Sequence, residues 1–387
     1  MPYPADIAII GGGPAGAAAA IRLARAGREV ALFERSTGDP HKVCGEFLEA
    51  STIDELHDLD IDPLALGASS IDMLAVINGT RWIETSLLAP AMSLTRRALD
   101  AHLLDRAVLA GAVVHRGVHI AGVEYDGQGY TLRSGDELFS ARHVFIATGK
   151  HDLRDAPRKR SAGSDHIGFK LHMTVSKATR ARLDGRVALV AFRGGYAGLQ
   201  PIDGTGVNLC LVLRRTLFDH AQTSWDQIVA MLHRDHTVFA DLLRGAEQCW
   251  PKPLAVGRIP YGYIRNTTSG PWWLGDQAAV IPSFTGTGIG IALRSARLAS
   301  AAFIAQDTAQ SFQKSFADQM RPVIRRSLLP SRLMLDPRAS AFMPLIAKMP
   351  GLSRLLQRCC APPRRAGAVY GRGSAYENAP KIGCKVQ

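Results

Sequence analysis

DIAIIGGGPAGAAAAIRLARAGREVALFE, residues 6–34, decides the fold. Asp6–Ile10 is a short apolar run that reads as a buried strand. It passes directly into Gly11-Gly-Gly13-Pro-Ala-Gly16. Ala17–Ala26 is alanine-rich and reads as a helix, with Gly27 as its C-terminal cap. Glu29–Phe33 then reads as a second strand that ends on Glu34. Gly11 permits the tight turn, Gly13 lets the backbone approach a pyrophosphate, and Gly16 lets the helix pack on the strand. The helix N-terminus offers unpaired N–H groups and a positive dipole to a diphosphate. Glu34, 18 residues beyond Gly16, is placed to accept hydrogen bonds from ribose hydroxyls. Pro14, Ala15 and Arg35 join these residues as cofactor-binding candidates. A carboxylate at the strand end disfavours NADP, and NAD and FAD stay open on this segment alone. Strand, glycines, helix, strand and acid in this order separate the segment from an isolated glycine turn.

Further along, Thr95–Gly111 reads as an amphipathic helix with Leu99, Leu103, Leu104, Ala107 and Val108 on one face. Val113–His115 and Gly117–Tyr125 read as strands. Tyr130–Arg133 and Leu138–Phe139 suggest a hairpin, and His143–Gly149 a buried strand ending in a glycine turn. Residues 166–215 alternate apolar and polar, as an antiparallel sheet does, and residues 224–245 read as helical. Pro271–Asp276 is a strand ending in an aspartate. Pro282-Ser-Phe-Thr-Gly286-Thr-Gly288-Ile289-Gly290 follows and precedes a helical run, Ile291–Ala305, which makes a second candidate cradle for phosphate or flavin. A second complete strand–glycine–helix–strand–acid unit does not occur, which argues against an independent NAD(P)H domain.

These readings give an α/β fold: a Rossmann-type FAD-binding domain with an inserted antiparallel β-sheet substrate domain and a C-terminal helical region. Residues 1–75, 95–165 and 260–310 are assigned to the first, 76–94 and 166–259 to the second. Residues 311–362 are read as C-terminal helices and 363–387 as a disordered basic tail.

The composition, 47% hydrophobic and 21% charged over 387 residues, suits a packed chain of about two domains. Six cysteines form neither a C-x-x-C pair nor a zinc-spaced cluster, so free thiols in a reducing cytoplasm and no metal are expected. Neither a signal peptide nor a membrane-spanning run is visible. Residues 311–387 hold 14 Lys/Arg against 3 Asp/Glu, whereas the rest hold 32 against 31. A basic tail favours anionic partners, read here as peripheral contact with an anionic membrane or an acidic carrier protein. Phe342, Leu345, Ile346, Met349, Leu352, Leu355 and Leu356 interleave with Lys348, Arg354 and Arg358 in a pattern that suits either a bilayer or a helical cap. Nucleic acid is not expected as a partner, because the tail has few aromatics for stacking and no recognised module.

These motifs resemble the FAD-dependent oxidoreductases that include geranylgeranyl reductases, aromatic hydroxylases and flavin-dependent halogenases. Lys42-Val-Cys44-Gly45-Glu46 is similar to the cysteine-glycine loop that geranylgeranyl-reductase-like members place near the flavin ring. Thr95-Arg96-x-x-Leu99-Asp100 resembles the helix start whose arginine reaches the FAD phosphates. Leu274-Gly-Asp276 with Pro282, Gly286 and Gly288 resembles the second FAD motif, where the aspartate binds ribitol and the turn faces the isoalloxazine. Ile289 is carried with that turn. The likeness spans about residues 5–310 and implies FAD, with NAD(P)H or a reductase partner as electron donor. Two departures stand out. The Asp-Gly motif of the hydroxylases is absent from Gly149–Asp155. Tyr196-Ala-Gly198-Leu-Gln-Pro201 keeps the tyrosine and proline of the family strand but has glycine for its bulky aromatic. That glycine implies a roomier apolar substrate pocket, lined by Tyr196, Gly198 and Pro201.

Cys44 is read either as a residue that tunes the flavin or relays a proton, or as a small apolar residue packed in a loop. Glu46 is read either as an orienting carboxylate or as a solvated one. Both are the catalytic candidates. His166 and Lys170 read either as ordinary polar surface or as facing the active site, and Trp272 and Trp273 either as packing or as a flavin stack. The leading functional expectation is a monooxygenase that hydroxylates an apolar or aromatic biosynthetic intermediate through a flavin C4a-hydroperoxide. The alternative is a reductase of a carbon–carbon double bond, and the third reading is a non-catalytic flavin-binding scaffold. The substrate is expected to be a small apolar molecule, free or on a carrier protein.

Overall fold

Ile7 and Ile9 of β1 (Ala5–Ile10) enter one core, and Ala8 and Ile10 enter another on the opposite face. A strand buried on both faces belongs in the middle of a covered parallel sheet. The computed structural model describes residues 5–158, 166–192, 194–204, 206–216 and 224–335. After β1 come α1 (Pro14–Arg25), β2 (Val30–Glu34), β3 (Phe47–Leu48), α2 (Ala50–His57), β4 (Ser69–Asn78) and β5 (Arg81–Ser93). Next are α3 (Arg96–Leu109), β6 (Val113–Arg116), β7 (Gly122–Tyr125), β8 (Tyr130–Ser134) and β9 (Glu137–Ile146). The middle of the chain holds β10 (His166–Thr174), α4 (Lys177–Leu183), β11 (Gly185–Phe192), β12 (Gly195–Pro201) and β13 (Gly206–Arg214). Then follow α5 (Trp225–Asp235), α6 (Thr237–Leu242), β14 (Glu247–Gln248), β15 (Leu254–Val256) and β16 (Trp272–Trp273). The described chain closes with α7 (Gly288–Ile304) and α8 (Ala309–Leu335).

The first sheet has the order β6-β2-β1-β9-β8-β7, with β16 beside β9. β6, β2, β1, β9 and β16 are parallel, and β7–β8–β9 form an antiparallel meander. β9 serves both parts: Glu137 closes the hairpin with Ser134, and Ile146 pairs with Ile10. The hairpin arm and the buried strand that the sequence suggested separately are one strand. β2 and β9 flank β1 on opposite sides, so the chain leaves their C-terminal ends in different directions and opens a crevice there. Ala17, Ala18, Ala19 and Ala20 of α1 are fully buried, and their small size lets α1 pack closely against α3 and α7. Trp272 stacks on Phe145 with centroids 5.3 Å apart, and Arg265 lies 3.7 Å over the Trp273 ring, so both tryptophans are packing residues.

The second sheet has the order β14-β10-β13-β12-β11-β4-β5-β3, with β15 beside β10. Its pairs are antiparallel except β11 with β4. Phe169, Leu171, Ala188, Val190, Ala197, Leu199, Leu209 and Leu211 pack one face against Ile228 and Leu232 of α5 and Phe239 and Leu242 of α6. A capping box at Ser224 and Gln227 starts α5. The opposite face turns to the first sheet's crevice.

Three sequence expectations need correction here. β4 begins at Ser69 and belongs to the second sheet, so residues 69–75 do not go with the FAD-binding segment 1–75. β3 also pairs with β5 in that sheet. Val108 is 54% exposed and leaves the buried face of α3 to Leu99, Leu103, Leu104 and Ala107. α8 accounts for residues 309–335, and the amphipathic stretch from Phe342 and the basic tail lie outside the described residues. Among the described residues, no helix is long and apolar enough to cross a membrane.

Candidate active site

The crevice is built first from glycines. Gly11 has φ 103°, and a Cβ there would stand 2.5 Å from the Ala147 carbonyl oxygen. A Cβ on Gly16 would stand 1.9 Å from the Gly11 carbonyl oxygen, so α1 can begin this close to β1 only on glycine. Gly13 is the N-cap of α1 and carries no side-chain cap, which leaves its first N–H groups to a ligand. The Glu34 carboxylate is buried at the end of β2, accepting from the Gly12 N–H at 2.7 Å and the Ser36 N–H at 3.0 Å. Burial pushes this carboxyl up, but Lys42 and the two N–H groups together hold it below its ordinary value. Arg35 donates toward His151 Nε2 at 2.9 Å on the crevice rim.

Arg96 reaches the same turn from the start of α3. Its guanidinium lies 3.6 Å from where a Cβ on Gly13 would be. It is held there by a two-pronged bond to Asp100, at 2.8 Å each, and Lys42 adds a third contact to Asp100 at 3.0 Å. Thr95 caps the helix by accepting from the Ala98 N–H. At the other end, Asp276 pairs with Lys150 at 3.1 Å, and Arg158 fixes the turn by donating to the Asp276 carbonyl at 2.9 Å. Gly286, with φ 70°, would place a Cβ 2.5 Å from the Phe47 ring. Pro282 shapes the start of this turn without lining the crevice, whereas Gly286, Gly288 and Ile289 line it.

The loop before β3 departs most from its sequence reading. Glu46 is completely buried, with φ 59°. Its carboxylate pairs with Lys170, also completely buried, accepts from the Arg96 N–H at 2.7 Å, and lies 2.7 Å from His172 Nε2. Its backbone carbonyl accepts from Gln200 Nε2 at 2.9 Å and from the Leu94 N–H at 3.1 Å. Burial favours the neutral acid, yet His172 and Lys170 outweigh it and hold the Glu46 carboxyl low. Glu46 is therefore neither solvated nor free to meet substrate: it rivets the cofactor loop to β10 and β12. Lys170 is likewise not surface, the first of its two sequence readings. His41, Glu46 and His172 bring ligand atoms within 4.8 Å of one another. With Lys170 already on the carboxylate, a metal cation would gain little there. Asn208 Nδ2 donates to the Cys44 and Gly45 carbonyls at 3.2 and 2.9 Å, which turns Cys44 Sγ toward the Glu46 N–H at 3.3 Å. Cys44 lines the crevice within electrostatic reach of Cys210, whose thiol burial pushes up to about 12.

One cavity of about 1480 Å³ runs from Glu34 and Arg35 past Gly13 and Asp276 and over the inner face of the second sheet. That exceeds the ~300–1,000 Å³ of a pocket for one drug-sized ligand. On the sheet it is lined by Gly168, Cys210, Val212, Tyr196, Gly198, Leu189, Val76 and Leu87. Lining residues come from seven consecutive strands, β15 to β5, a span of about 29 Å at ~4.8 Å per strand. Pro201 does not line it. β12 alternates, so Tyr196, Gly198 and Gln200 face the cavity while Ala197, Leu199 and Pro201 face away. Gln200 was the missed residue, and its spacing of two from Gly198 was the available signal. Tyr261 and Ser283 also line the cavity and were not singled out by any motif.

A bare turn for a diphosphate, a carboxylate for a ribose and a guanidinium beside the turn fit one extended dinucleotide. The aspartate and the second glycine turn add the place for its far ring. FAD is the cofactor this arrangement serves, and the chain is a FAD-dependent oxidoreductase. It belongs to the pyridine nucleotide-disulphide oxidoreductase family, whose profile matches residues 5–200. It is 25% identical over 336 residues to a menaquinone reductase of Mycobacterium tuberculosis, covering 81% of this chain and 80% of that one. It is 27% identical over 347 residues to digeranylgeranylglycerophospholipid reductase 1 of Methanopyrus kandleri, covering 83% and 87%. A tryptophan 2-halogenase of Chondromyces crocatus is 26% identical over 324 residues, covering 78% of this chain and 61% of that one. Among solved structures, a flavin-dependent brominase superposes with TM-score 0.76 at 18% identity, covering 92% and 93%. A geranylgeranyl bacteriochlorophyll reductase-like protein of Thermoplasma acidophilum gives 0.74 at 16%, covering 92% and 96%. At these identities the structures speak for the fold.

Proposed function

We propose that the protein is a FAD-dependent reductase that saturates a carbon–carbon double bond in a long isoprenoid-like chain. The observation that carries this reading is the single cavity that joins the cofactor cradle to an apolar groove across the sheet. Beyond β12 the groove crosses β11 and β4 to β5, about 14 Å at ~4.8 Å per strand. Leu74, Val76, Thr85, Leu87, Val187 and Leu189 line it, and it ends at Leu88, which is 39% exposed. An extended hydrocarbon can lie in such a groove with one end in solvent. A compact aromatic substrate would leave most of it unfilled. Gly198 lines this path, and a Cβ there would rest in ordinary contact with Leu189 at 3.4 Å.

Bound FAD supplies a hydride to a substrate carbon and takes its electrons from NAD(P)H or a reductase partner. The chain does the rest. Gly11, Gly13 and Gly16 with Arg96 hold the diphosphate, Glu34 the ribose, and Asp276 the ribitol. The sheet face positions the alkene and excludes water from it. Alkene reduction also needs a proton on the second carbon, and hydroxyl and thiol donors line this cavity at Tyr196, Tyr261, Ser283 and Cys44. Hydroxylation, the leading sequence expectation, needs no such donor, and the two reductases named above are matched over 80% and 87% of their own length against 61% for the halogenase. The experiment is anaerobic turnover of the reduced holoprotein with a polyprenyl probe, read by product mass. A product two hydrogens heavier supports the reading. A product made only with O₂ and one oxygen heavier replaces it with monooxygenation.

A further inference from the structure

Three hydroxyl groups meet where the cavity passes the glycine turn. Tyr261 Oη and Ser283 Oγ are 2.5 Å apart. Tyr196 packs beside them, its ring against Val212, Ile259, Tyr261 and Val280, and is only 7% exposed. Its hydroxyl is buried and close enough to Ser283 and Tyr261 for both to act on its proton. Phenylalanine would fill the same space but would remove one hydroxyl from this cluster of three. Three adjoining hydroxyls in a cavity wall form a path along which a proton can move. Ser283 belongs to the turn assigned to the flavin ring, and Tyr196 stands on the sheet wall that faces it.

We propose that Tyr196 donates the proton that completes alkene reduction, and that Tyr261 and Ser283 restore it. The assignment rests on the reductase reading above. One alkene carbon takes a hydride, with its electron pair, from reduced FAD, and the other takes the Tyr196 proton. The π bond breaks, two C–H bonds form, FAD is left oxidised and Tyr196 is left as a phenolate. Tyr261 passes its proton to that phenolate, Ser283 follows, and solvent refills the chain. Lys150, paired with Asp276, lies within electrostatic reach of Tyr261 and steadies the passing negative charge. Burial holds both phenols above the ordinary tyrosine value, so both stay protonated until needed. Cys44, held to β13 by Asn208 and lining the same cavity, is the competing donor.

The test uses holoenzyme reduced anaerobically with dithionite. It is mixed with menaquinol or with geranylgeranyl diphosphate in H₂O and in D₂O. Menaquinol has a ring that is already reduced, so flavin reoxidation must report on its side chain. Wild type is expected to give a product two hydrogens heavier in H₂O, with two carbon-bound deuteriums in D₂O, because the hydride of dithionite-reduced flavin also originates from solvent. Tyr196→Phe should keep its FAD and melt close to wild type. Its flavin reoxidation should slow by about 10²–10⁴-fold, with little change in the half-saturating probe concentration. Tyr261→Phe should lose less, because water can substitute at the second position. A Tyr196→Phe rate within about threefold of wild type, or a full loss in Cys44→Ala instead, overturns the donor assignment alone. Wild type that reduces neither probe overturns the reductase reading and the assignment with it.

Discussion

Replacing Lys170 with methionine tests the Glu46 rivet directly. Methionine keeps most of the lysine stem's volume, so the change removes charge rather than packing. Glu46 and Lys170 are both completely buried, and Glu46 would retain only the Arg96 N–H and His172, each at 2.7 Å. Breaking a buried pair by removing one partner costs about 3–5 kcal/mol, and the two surviving bonds place the expected loss near the lower end, about 3 kcal/mol. Glu46→Gln should lose a similar amount, because it strands the Lys170 ammonium in the sheet. The double variant strands neither charge, so it should be at least ~2 kcal/mol more stable than the sum of the single losses predicts. The assay is urea unfolding followed by circular dichroism and by tryptophan fluorescence. Trp250 is a local reporter, its ring centroid 5.0 Å from His172 and 4.7 Å from His41. Single losses below about 1 kcal/mol that simply add would refute the claim that this pair locks the cofactor loop to the sheet.

Other consequences follow from the same geometry. Gly16→Ala puts a methyl 1.9 Å from the Gly11 carbonyl, so the variant should be purified without FAD, as its absorption spectrum will show. Arg96→Ala leaves Asp100 and its negative charge beside the diphosphate turn, and FAD affinity measured by fluorescence should fall by about a hundredfold, ~2.7 kcal/mol. Glu34, Glu46 and Asp100 are all held below their ordinary values, so their stabilisation is complete at neutral pH and is lost as pH falls below about 4.5 toward their folded values. His41, His151 and His236 are held down by burial and remain neutral in the fold. The unfolded chain gains protons at such groups as pH falls through 6.5, so the melting temperature should decline by a few degrees from pH 7.5 to 5.5 and steeply below 4.5.

The sequence carried the cofactor half of this site because its signals are local. Gly11, Gly13, Gly16 and Glu34 lie within one strand–helix–strand unit, and steric need alone explains their spacing. The substrate half depends on strands far apart in the chain. Lys170 meets Glu46 across 124 residues, and nothing local to either segment announces the pairing. The sheet boundary at Ser69 was legible in the Asn78-Gly79 hairpin that joins β4 to β5, and only the parallel pairing of β4 with β11 had no local signal. Tyr261 sits between short irregular segments, where no periodicity marks a wall residue. Pro201 was misassigned although its parity against Tyr196 and Gly198 places it on the other face.

The most direct test of the central claim is the mass of the product made when reduced holoprotein meets menaquinol or geranylgeranyl diphosphate, with O₂ excluded and with O₂ admitted. The account predicts a gain of two hydrogens in both conditions relative to the same probe incubated without enzyme, with the saturated bond in the prenyl chain. A product that forms only with O₂ and carries an added oxygen atom would contradict it.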